Sequence, residues 1–274
     1  MPAQSEQARR FLALHRPGAP LLLANAWDAG SAAILASLGF EALATTSSGH
    51  AATLGRLDGG VTRNEAIAHA AQIVAATALP VSADLENCFA DDPAGVAETI
   101  ALALGAGLAG CSVEDYTGRD EDPIYPLEAA AERVAAAARA AHAGAVNLVL
   151  TARSENHVRG REDLDDTIAR LRAFQEAGAD VLFPTGVTDL EAIRKVVAAL
   201  ERPVTVLVRP EMAPVAELAK AGVSRISVGG AFAFAALGTL AEVARELRDE
   251  GTYGYFDRAA TGGAAARAAF ASGR

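Results

Sequence analysis

One arrangement of apolar and polar positions recurs along the chain. A segment with helical periodicity ends at a glycine, and a short run of apolar or β-branched residues follows. Gly39 precedes the run 42–46 in this way, and Gly178 precedes the run 181–183. Glycine often ends a helix because it adopts the left-handed conformation at little cost. Continuous apolar runs are typical of strands buried on both faces of a parallel sheet, so the pattern predicts repeated helix-then-strand units.

Eight strands are predicted, and a helical segment follows each. The strands are residues 21–24, 42–46, 80–83, 111–113, 148–151, 181–183, 204–208 and 226–228. The clearest helices are residues 64–77, 93–104, 127–143, 164–177, 190–200, 214–221 and 231–250. Strands that alternate with helices pair in parallel, and eight repeats favour an α/β fold closed into a (β/α)8, or TIM, barrel. The alternative, an open doubly wound sheet, would require a Gly-x-Gly-x-x-Gly turn after the first strand, and residues 25–30 do not contain this motif.

No linker interrupts this pattern, so we expect a single barrel domain over residues 1–274. Its first residues predict a short amphipathic helix. The tail, about residues 257–274, is rich in alanine and glycine and predicts a short helical piece. This tail either docks on a neighbouring subunit, with the helical segment exchanged, or is a loosely held C-terminus.

Composition narrows the functional classes. The 274 residues include 24 Lys and Arg against 34 Asp and Glu, a net charge of −10. No basic face is visible, so a nucleic-acid binder is excluded and binding to an anionic membrane is disfavoured. Two cysteines exclude a disulfide scaffold. We read no signal peptide and no membrane-spanning stretch, and we predict a cytoplasmic protein. Acidic substrates would need local cations, either arginine or a bound metal.

Acidic residues concentrate after the third and fourth predicted strands. Barrel chemistry occurs at the carboxyl ends of the strands, where Asp84, Glu86 and Glu114 fall, with Asp58 in reach through a loop. Asp84 and Glu86 share a face because strand residues two apart point the same way. Converging carboxylates repel one another, and Mg²⁺ suits sites built from a few carboxylates and waters. We therefore predict a magnesium site there.

Each of these acids has an alternative role, because strand-end acids also cap the following helix or pair with arginine. Other kinds of site are not supported. No Cys/His pattern indicates zinc, and no Gly-x-Ser-x-Gly turn indicates a serine hydrolase.

Short motifs in this order resemble a known family. They are Leu23-Ala-Asn-Ala-Trp27-Asp28, Leu54-Gly-Arg-Leu-Asp58, Asp84-Leu-Glu86, Ser112-Val-Glu114-Asp115 and Thr151-Ala-Arg153. Together they resemble the isocitrate lyase/phosphoenolpyruvate mutase superfamily over roughly residues 5–255. The resemblance implies a barrel that assembles as a homo-oligomer, a tetramer or a dimer, often with its eighth helix exchanged. It also implies Mg²⁺ or Mn²⁺ and a small 2-oxo or 2-hydroxy carboxylate as substrate.

The resemblance also implies roles for individual residues. Asp84 would ligate the metal, Glu86 and Glu114 would hold metal-bound waters, and Asp58 would support them. Arg153 would bind the substrate carboxylate, in keeping with the fit of a guanidinium fork to a carboxylate. The remaining predicted substrate contacts are Trp27, Thr46, Ser47, Ser48, Asp84 and Asn156, and the predicted catalytic residues are Arg153, Ser48 and Tyr116.

The chain departs from the family after the fourth strand. Isocitrate and methylisocitrate lyases carry a Lys-Lys/Arg-Cys-Gly-His lid there, whereas residues 116–125 contain no Cys, Lys or His. Tyr116, Arg119, Asp120 and Tyr125 are the alternative lid residues. Cys88 stands where many members have glycine, and it is either an acid/base or a space-filling thiol.

Three functions remain open. The leading one is a Mg²⁺-dependent lyase that breaks a C–C bond through a metal-stabilised enolate, acting on an oxaloacetate-, 2-oxoglutarate- or methylisocitrate-like compound. The second is a P–C bond mutase or hydrolase acting on phosphonopyruvate. The third is a 2-oxo acid binding protein without catalysis.

Overall fold

The computed structural model describes residues 3–271 and shows eight parallel strands, as predicted. They are β1 Leu21–Asn25, β2 Leu43–Ala44, β3 Val81–Asp84, β4 Gly110–Glu114, β5 Val149–Ser154, β6 Val181–Pro184, β7 Thr205–Leu207 and β8 Arg225–Ser227. Their order is β6-β5-β4-β3-β2-β1-β8-β7. A parallel bridge between Leu182 and Val204 joins the two ends of this order. The strands therefore form a nearly closed (β/α)8 barrel, and the predicted fold class is confirmed.

Eleven α-helices are found in the described residues. They are α1 Gln4–Ala13, α2 Ala29–Ser37, α3 Ser47–Thr53, α4 Arg63–Ala76, α5 Pro93–Gly105, α6 Leu127–His142, α7 Leu164–Glu176, α8 Leu190–Ala198, α9 Val215–Lys220, α10 Ala231–Arg245 and α11 Phe256–Ala271. The seven predicted helices and the amphipathic N-terminal helix are all present. The short helix α3, directly after β2, was not among them.

Side-chain caps define where several helices begin. Asp28 and Ser31 form a reciprocal capping box at α2, and Thr62 and Glu65 do the same at α4. Asp92 accepts hydrogen bonds from the first turn of α5, where Pro93 is the first helical residue. Asp28 thus fills the capping role that was an alternative for strand-end acids.

The N-terminal helix α1 covers the base of the barrel, at the amino ends of the strands. Its Phe11 is fully buried, and a Cβ built on Gly110, the first residue of β4, would lie 2.7 Å from the Phe11 ring. Gln4 Nε2 donates to the carbonyls of Leu104 and Leu108, each at 2.9 Å. The base is therefore closed, and the opposite end of the barrel is left for a ligand.

The last two helices carry apolar side chains that the chain itself leaves uncovered. On α10, Phe234 is 50% exposed and Leu240 is 61% exposed, and on α11 Phe256 is 63% exposed. Helix α11 packs against α2, with the Phe270 ring near Gly30. Among residues 3–271, no helix combines the length and the apolar character needed to cross a membrane.

Candidate active site

A cavity of about 890 Å³ opens at the carboxyl ends of the strands. This volume accommodates a small organic acid with its waters. Most residues predicted for the site line it: Thr46, Ser47, Ser48, Asp58, Asp84, Glu86, Glu114, Tyr116 and Arg153. The structure therefore brings together side chains from β2, β3, β4 and β5 and from the loops that follow them.

Arg153, near the end of β5, is the centre of a cluster of carboxylates. Its Nη1 lies 3.0 Å from Asp84 Oδ1, and its Nη2 lies 3.1 Å from Glu114 Oε2. Its Nε and Nη2 both donate to Glu155 Oε1, at 3.0 and 2.8 Å. The Phe183 ring lies 5.3 Å from the guanidinium carbon. Pairing with arginine, one of the alternative roles predicted for strand-end acids, therefore applies to Asp84 and Glu114. The other alternative, capping of a following helix, applies to neither.

Glu86 lies beside this cluster, and within residues 3–271 it has no arginine partner. Burial, followed by the charges of Asp84 and Asp58, raises the pKa of Glu86 to about 7. Burial also raises the pKa of Glu114 well above its usual range, although Arg153 opposes the shift. One guanidinium thus faces more carboxylate charge than it can neutralise.

The donor set fits a divalent cation held mainly through water. Within residues 3–271, no three acidic, histidine or cysteine side chains converge closely enough to ligate one ion together. Mg²⁺ commonly takes only one or two protein carboxylates and keeps several waters. The hard oxygen donors of Asp84, Glu86 and Glu114, with their surplus negative charge, suit such a site.

The loop that carries Glu86 has an unusual backbone. Glu86, Cys88 and Phe89 have φ angles of 50°, 59° and 55°, in the left-handed region that favours glycine. The buried Arg133 side chain holds this loop, donating to the carbonyls of Asn87 at 2.6 Å and Asp91 at 2.7 Å and to that of Ala90. Arg133 thereby stabilises a conformation that the local sequence disfavours.

Cys88 does not line the cavity. It is fully buried, and burial raises the pKa of its thiol to about 12. A thiol in this state is a poor acid/base near neutral pH, so the structure supports the space-filling role.

Helix α3 and its capping residue Thr46 supply hydrogen-bond donors to the cavity that Arg153 also lines. Thr46 caps the helix by accepting from the Gly49 N–H, and its hydroxyl lies 3.2 Å from Ser48 Oγ. The Ser47 N–H donates to Asp84 Oδ2 at 3.2 Å. The main chain and hydroxyls of these three residues therefore face the same cavity as the acids.

The lid segment after β4 is a folded loop. Tyr116 pairs with Ile124 in an antiparallel bridge, and the Tyr116 hydroxyl lies 3.2 Å from Asp120 Oδ1. Arg119 and the Tyr125 hydroxyl both contact Asp91 on the neighbouring β3–α5 loop. Of the four lid candidates, only Tyr116 lines the cavity.

Two predicted substrate contacts lie elsewhere. Asn156 is fully buried, and its amide donates to Asp166 Oδ2 at 2.8 Å and Thr167 Oγ1 at 3.2 Å, on α7. Trp27 contributes its carbonyl to the His69 ring at 3.0 Å and does not line the cavity. The arrangement of the side chains does not bring these two residues to the other site residues.

Among the described residues, four charged residues of the cavity were not among the predicted site residues: Glu155, Arg159, Arg209 and Arg225. Glu155 could have been found by the alternation that paired Asp84 with Glu86, because it lies two residues beyond Arg153. Arg159 stacks on the Tyr116 ring with its guanidinium carbon 3.4 Å from the ring centre. Arg225 is the first residue of β8, whereas the site was predicted from residues at the carboxyl ends of the strands.

Comparison with known proteins agrees with this geometry. The family model described as phosphoenolpyruvate phosphomutase matches residues 11–248. A candidate lyase/mutase from Burkholderia cenocepacia J2315 has a solved structure with a TM-score of 0.90 and 50% identity, covering 93% of this chain and 92% of that one. Oxaloacetate decarboxylase of Chromohalobacter salexigens is 29% identical over 259 residues, 90% of this chain and 88% of the relative. The 2-methylisocitrate lyase of Escherichia coli is 29% identical over 211 residues, 70% of each chain.

Proposed function

The chain belongs to the phosphoenolpyruvate phosphomutase family, and from this premise we propose that it is a Mg²⁺-dependent carbon–carbon lyase that acts on a small 2-oxo or 2-hydroxy carboxylic acid. Two relatives, an oxaloacetate decarboxylase and a 2-methylisocitrate lyase, are named for substrates of this kind. Mn²⁺ is the alternative ion.

One observation carries the proposal: Arg153 is surrounded by more carboxylates than it can neutralise, inside a cavity large enough for a small acid. Its contacts are to Asp84, Glu114 and Glu155, and in the described part of the chain Glu86 and Asp58 have no cationic partner. A divalent cation would neutralise this surplus and, when bound, stabilise the enolate that forms next to a carbonyl as the bond breaks.

The residues of the chain have distinct roles in this proposal. Arg153 binds the substrate carboxylate through its fork, and Glu155 orients that fork through two hydrogen bonds. Thr46, Ser47 and Ser48 present N–H and hydroxyl donors to the substrate's oxygens. We assign the holding or moving of a proton to the hydroxyls of Ser48 and Tyr116, since the lid has no Cys, Lys or His.

The test is a substrate panel with the purified full-length protein and Mg²⁺. Oxaloacetate, 2-methylisocitrate and phosphonopyruvate are each incubated, and pyruvate is followed by a coupled lactate dehydrogenase assay. For phosphonopyruvate, pyruvate kinase and ADP are also added, so that phosphoenolpyruvate formed by a mutase is converted into pyruvate and detected. We expect pyruvate from a C–C substrate, loss of turnover with EDTA, its return with Mg²⁺, and loss of turnover in Asp84→Asn. Asp92→Asn is the matched control, because Asp92 is an exposed helix cap outside the cavity.

The outcomes separate the alternatives. Turnover of phosphonopyruvate alone would replace C–C cleavage with P–C chemistry on the same residues. Binding of 2-oxo acids without turnover of any compound would indicate a non-catalytic binding protein. EDTA-resistant turnover, or full activity in Asp84→Asn, would refute the metal role.

We also propose that the protein is a homo-oligomer, a tetramer or a dimer, in which α10 or α11 packs on a neighbouring subunit. The support is the exposure of Phe234, Leu240 and Phe256 on these helices, since a large apolar patch commonly marks a protein interface. A cytoplasmic location and the absence of nucleic-acid and membrane partners stay predictions from composition.

A further inference from the structure

A buried ion pair lies behind the cavity, between the lid and helix α7. Asp115, the residue after β4, is 2% exposed, and Arg170 of α7 is 3% exposed. Arg170 Nη1 lies 3.2 Å from Asp115 Oδ2, and its Nε lies 2.8 Å from Asp166 Oδ2 on the same helix. Neither Asp115 nor Arg170 lines the cavity. Burying two charges is costly, and the contacts of this pair indicate what it holds in place.

The pair closes the base of the lid. The lid, residues 116–125, begins directly after Asp115 and ends at Tyr125. The Tyr125 N–H donates to the Asp115 carbonyl at 3.0 Å. Arg170 Nη1, which contacts the Asp115 carboxylate, also donates to the Tyr125 carbonyl at 2.9 Å. Arg170 therefore binds both ends of the lid through one nitrogen.

The same pair is connected to the Arg153 fork. Asp115 Oδ1 accepts the N–H of Glu155 at 2.7 Å. Glu155 Oε1 in turn accepts from Nε and Nη2 of Arg153 at 3.0 and 2.8 Å. The Asp115 N–H also donates to the Arg153 carbonyl at 3.2 Å. Asp115 and Glu155 are each 2% exposed, so these bonds lie in a low-dielectric interior where they are strong. A continuous chain of hydrogen bonds thus joins the lid to the guanidinium.

We propose that Asp115 and Arg170 are positioning residues for the proposed lyase reaction, which together fix the Arg153 fork and the lid in one arrangement. This inference rests on the proposed function and adds to it two residues that do not line the cavity. A two-pronged contact tolerates little error in direction, because both hydrogen bonds must be aligned at once. An anchor that orients Glu155 therefore orients the fork, and an anchor that also binds Tyr125 sets the lid relative to the fork.

Arg170→Lys tests the connection without leaving a buried carboxylate unpaired. Lysine keeps the charge, but its single nitrogen cannot replace the contacts made through Nε and Nη1. Hydrogen exchange of the full-length protein is followed by mass spectrometry. We expect about tenfold faster exchange in two segments, residues 116–125 and 153–159, and wild-type exchange in the other barrel strands. Unchanged exchange in either segment would overturn the inference.

Gly110→Ala is the stability-matched control. Its added Cβ would lie 2.7 Å from the Phe11 ring and 2.9 Å from the Val149 carbonyl, both at the base of the barrel. A general loss of stability should raise exchange across the barrel in this variant, without the pattern confined to the two segments. If Gly110→Ala shows that same pattern, the pattern reports stability and the inference is wrong.

A double-mutant cycle with Arg153→Lys tests whether Arg170 acts through the fork. Oxalate affinity is measured by isothermal titration calorimetry with Mg²⁺ present, and kcat/KM is measured on the best substrate of the panel. Arg170→Lys alone should lower both by about tenfold, and in the Arg153→Lys background it should lower them by less than about threefold. Gly110→Ala should keep both within about threefold of wild type. Equal factors in the two backgrounds would show that Arg170 acts independently of the fork and would overturn the inference.

Asp115→Asn is the second variant, used if Arg170→Lys does not fold. It removes the negative charge of the pair, keeps a side-chain oxygen for the Glu155 N–H, and leaves Arg170 its contact to Asp166. The same two segments should exchange faster, by a smaller factor, because a neutral oxygen accepts more weakly than a carboxylate. Wild-type exchange in this variant would overturn the inference.

The outcomes separate this inference from the proposed function. Turnover in wild type, with unchanged kcat/KM and oxalate affinity in Arg170→Lys, overturns the inference and leaves the proposed function standing. Oxalate binding without turnover of any compound overturns the lyase proposal, and the oxalate cycle alone then decides whether the pair positions the fork. A wild-type protein that neither binds oxalate nor turns over the panel overturns both.

Discussion

Replacing Arg153 with lysine separates charge from geometry at the centre of the cluster. Arg153 contacts Asp84 at 3.0 Å through Nη1, and Glu114 at 3.1 Å and Glu155 at 2.8 Å through Nη2, while its Nε also donates to Glu155 at 3.0 Å. A lysine ammonium keeps the positive charge but has a single nitrogen, so it cannot present a two-pronged fork to a substrate carboxylate. The variant should lose about one charge-assisted hydrogen bond to the substrate, roughly 1.5–3 kcal/mol.

That loss corresponds to a fall in kcat/KM of about 10- to 150-fold. The assay is pyruvate formation on the best substrate of the panel, together with calorimetric binding of oxalate, which reports carboxylate recognition without turnover. Arg209→Lys, the same change at the exposed mouth, should alter kcat/KM by less than about threefold. If Arg153→Lys kept kcat/KM and oxalate affinity within about threefold of wild type while folding normally, the fork would not bind the substrate and the proposed role of Arg153 would be refuted.

Three further changes test the base, the buried histidine and the exposed helix. Gly110→Ala places a Cβ 2.7 Å from the Phe11 ring and 2.9 Å from a β5 carbonyl, so it should lower the free energy of unfolding in urea by about 1–3 kcal/mol. Adding Phe11→Leu should recover part of this loss. Gly144→Ala, where a Cβ has nothing within 4 Å, should stay within about 0.5 kcal/mol of wild type. Because His15 is buried, its pKa is about 3 in the folded protein, whereas its ordinary value is 6.5. Between these pH values the unfolded chain binds more protons than the folded one. The contribution of His15 to the free energy of unfolding is therefore fully present above pH 6.5 and declines as the pH falls. From pH 7 to pH 5 wild type should lose about 2 kcal/mol more than His15→Gln, and equal losses in the two proteins would contradict the assignment. Leu240→Glu, at a position 61% exposed, should lower the mass found by sedimentation velocity, and an unchanged mass would show that α10 is not at the interface.

The fold was largely predictable because its signals are local and repeated. Each glycine stop and apolar run predicts a strand independently of the others, so errors of a residue or two at the ends did not change the topology. Helix α3 was missed for a physical reason. Residues 47–53 contain serine, glycine and histidine, which favour turns in isolation, and the Thr46 cap and packing against the barrel select the helix.

The site residues that lie on strands could be predicted, because side chains alternate between the two faces of a strand. Residues beyond the strand ends do not follow this alternation. Asp84, Glu114 and Arg153 sit at register positions of β3, β4 and β5 that face the cavity. Asn156 follows the end of β5 and turns toward α7, where Asp166 takes its amide. Arg225 could not be predicted in this way, because it lies at the start of β8 and its long side chain reaches inward from the base of the barrel.

The covering of the barrel base by α1 has a practical consequence for surface-based binding measurements. Because Gln4 and Phe11 anchor this helix at the amino ends of the strands, a protein tethered through its N-terminus presents the cavity mouth to the flowing solution. Tethering through α11 instead would occupy a helix whose apolar side chains are left exposed by the chain itself. Immobilisation through the N-terminus is therefore the preferred orientation on sensor chips and in ligand screens.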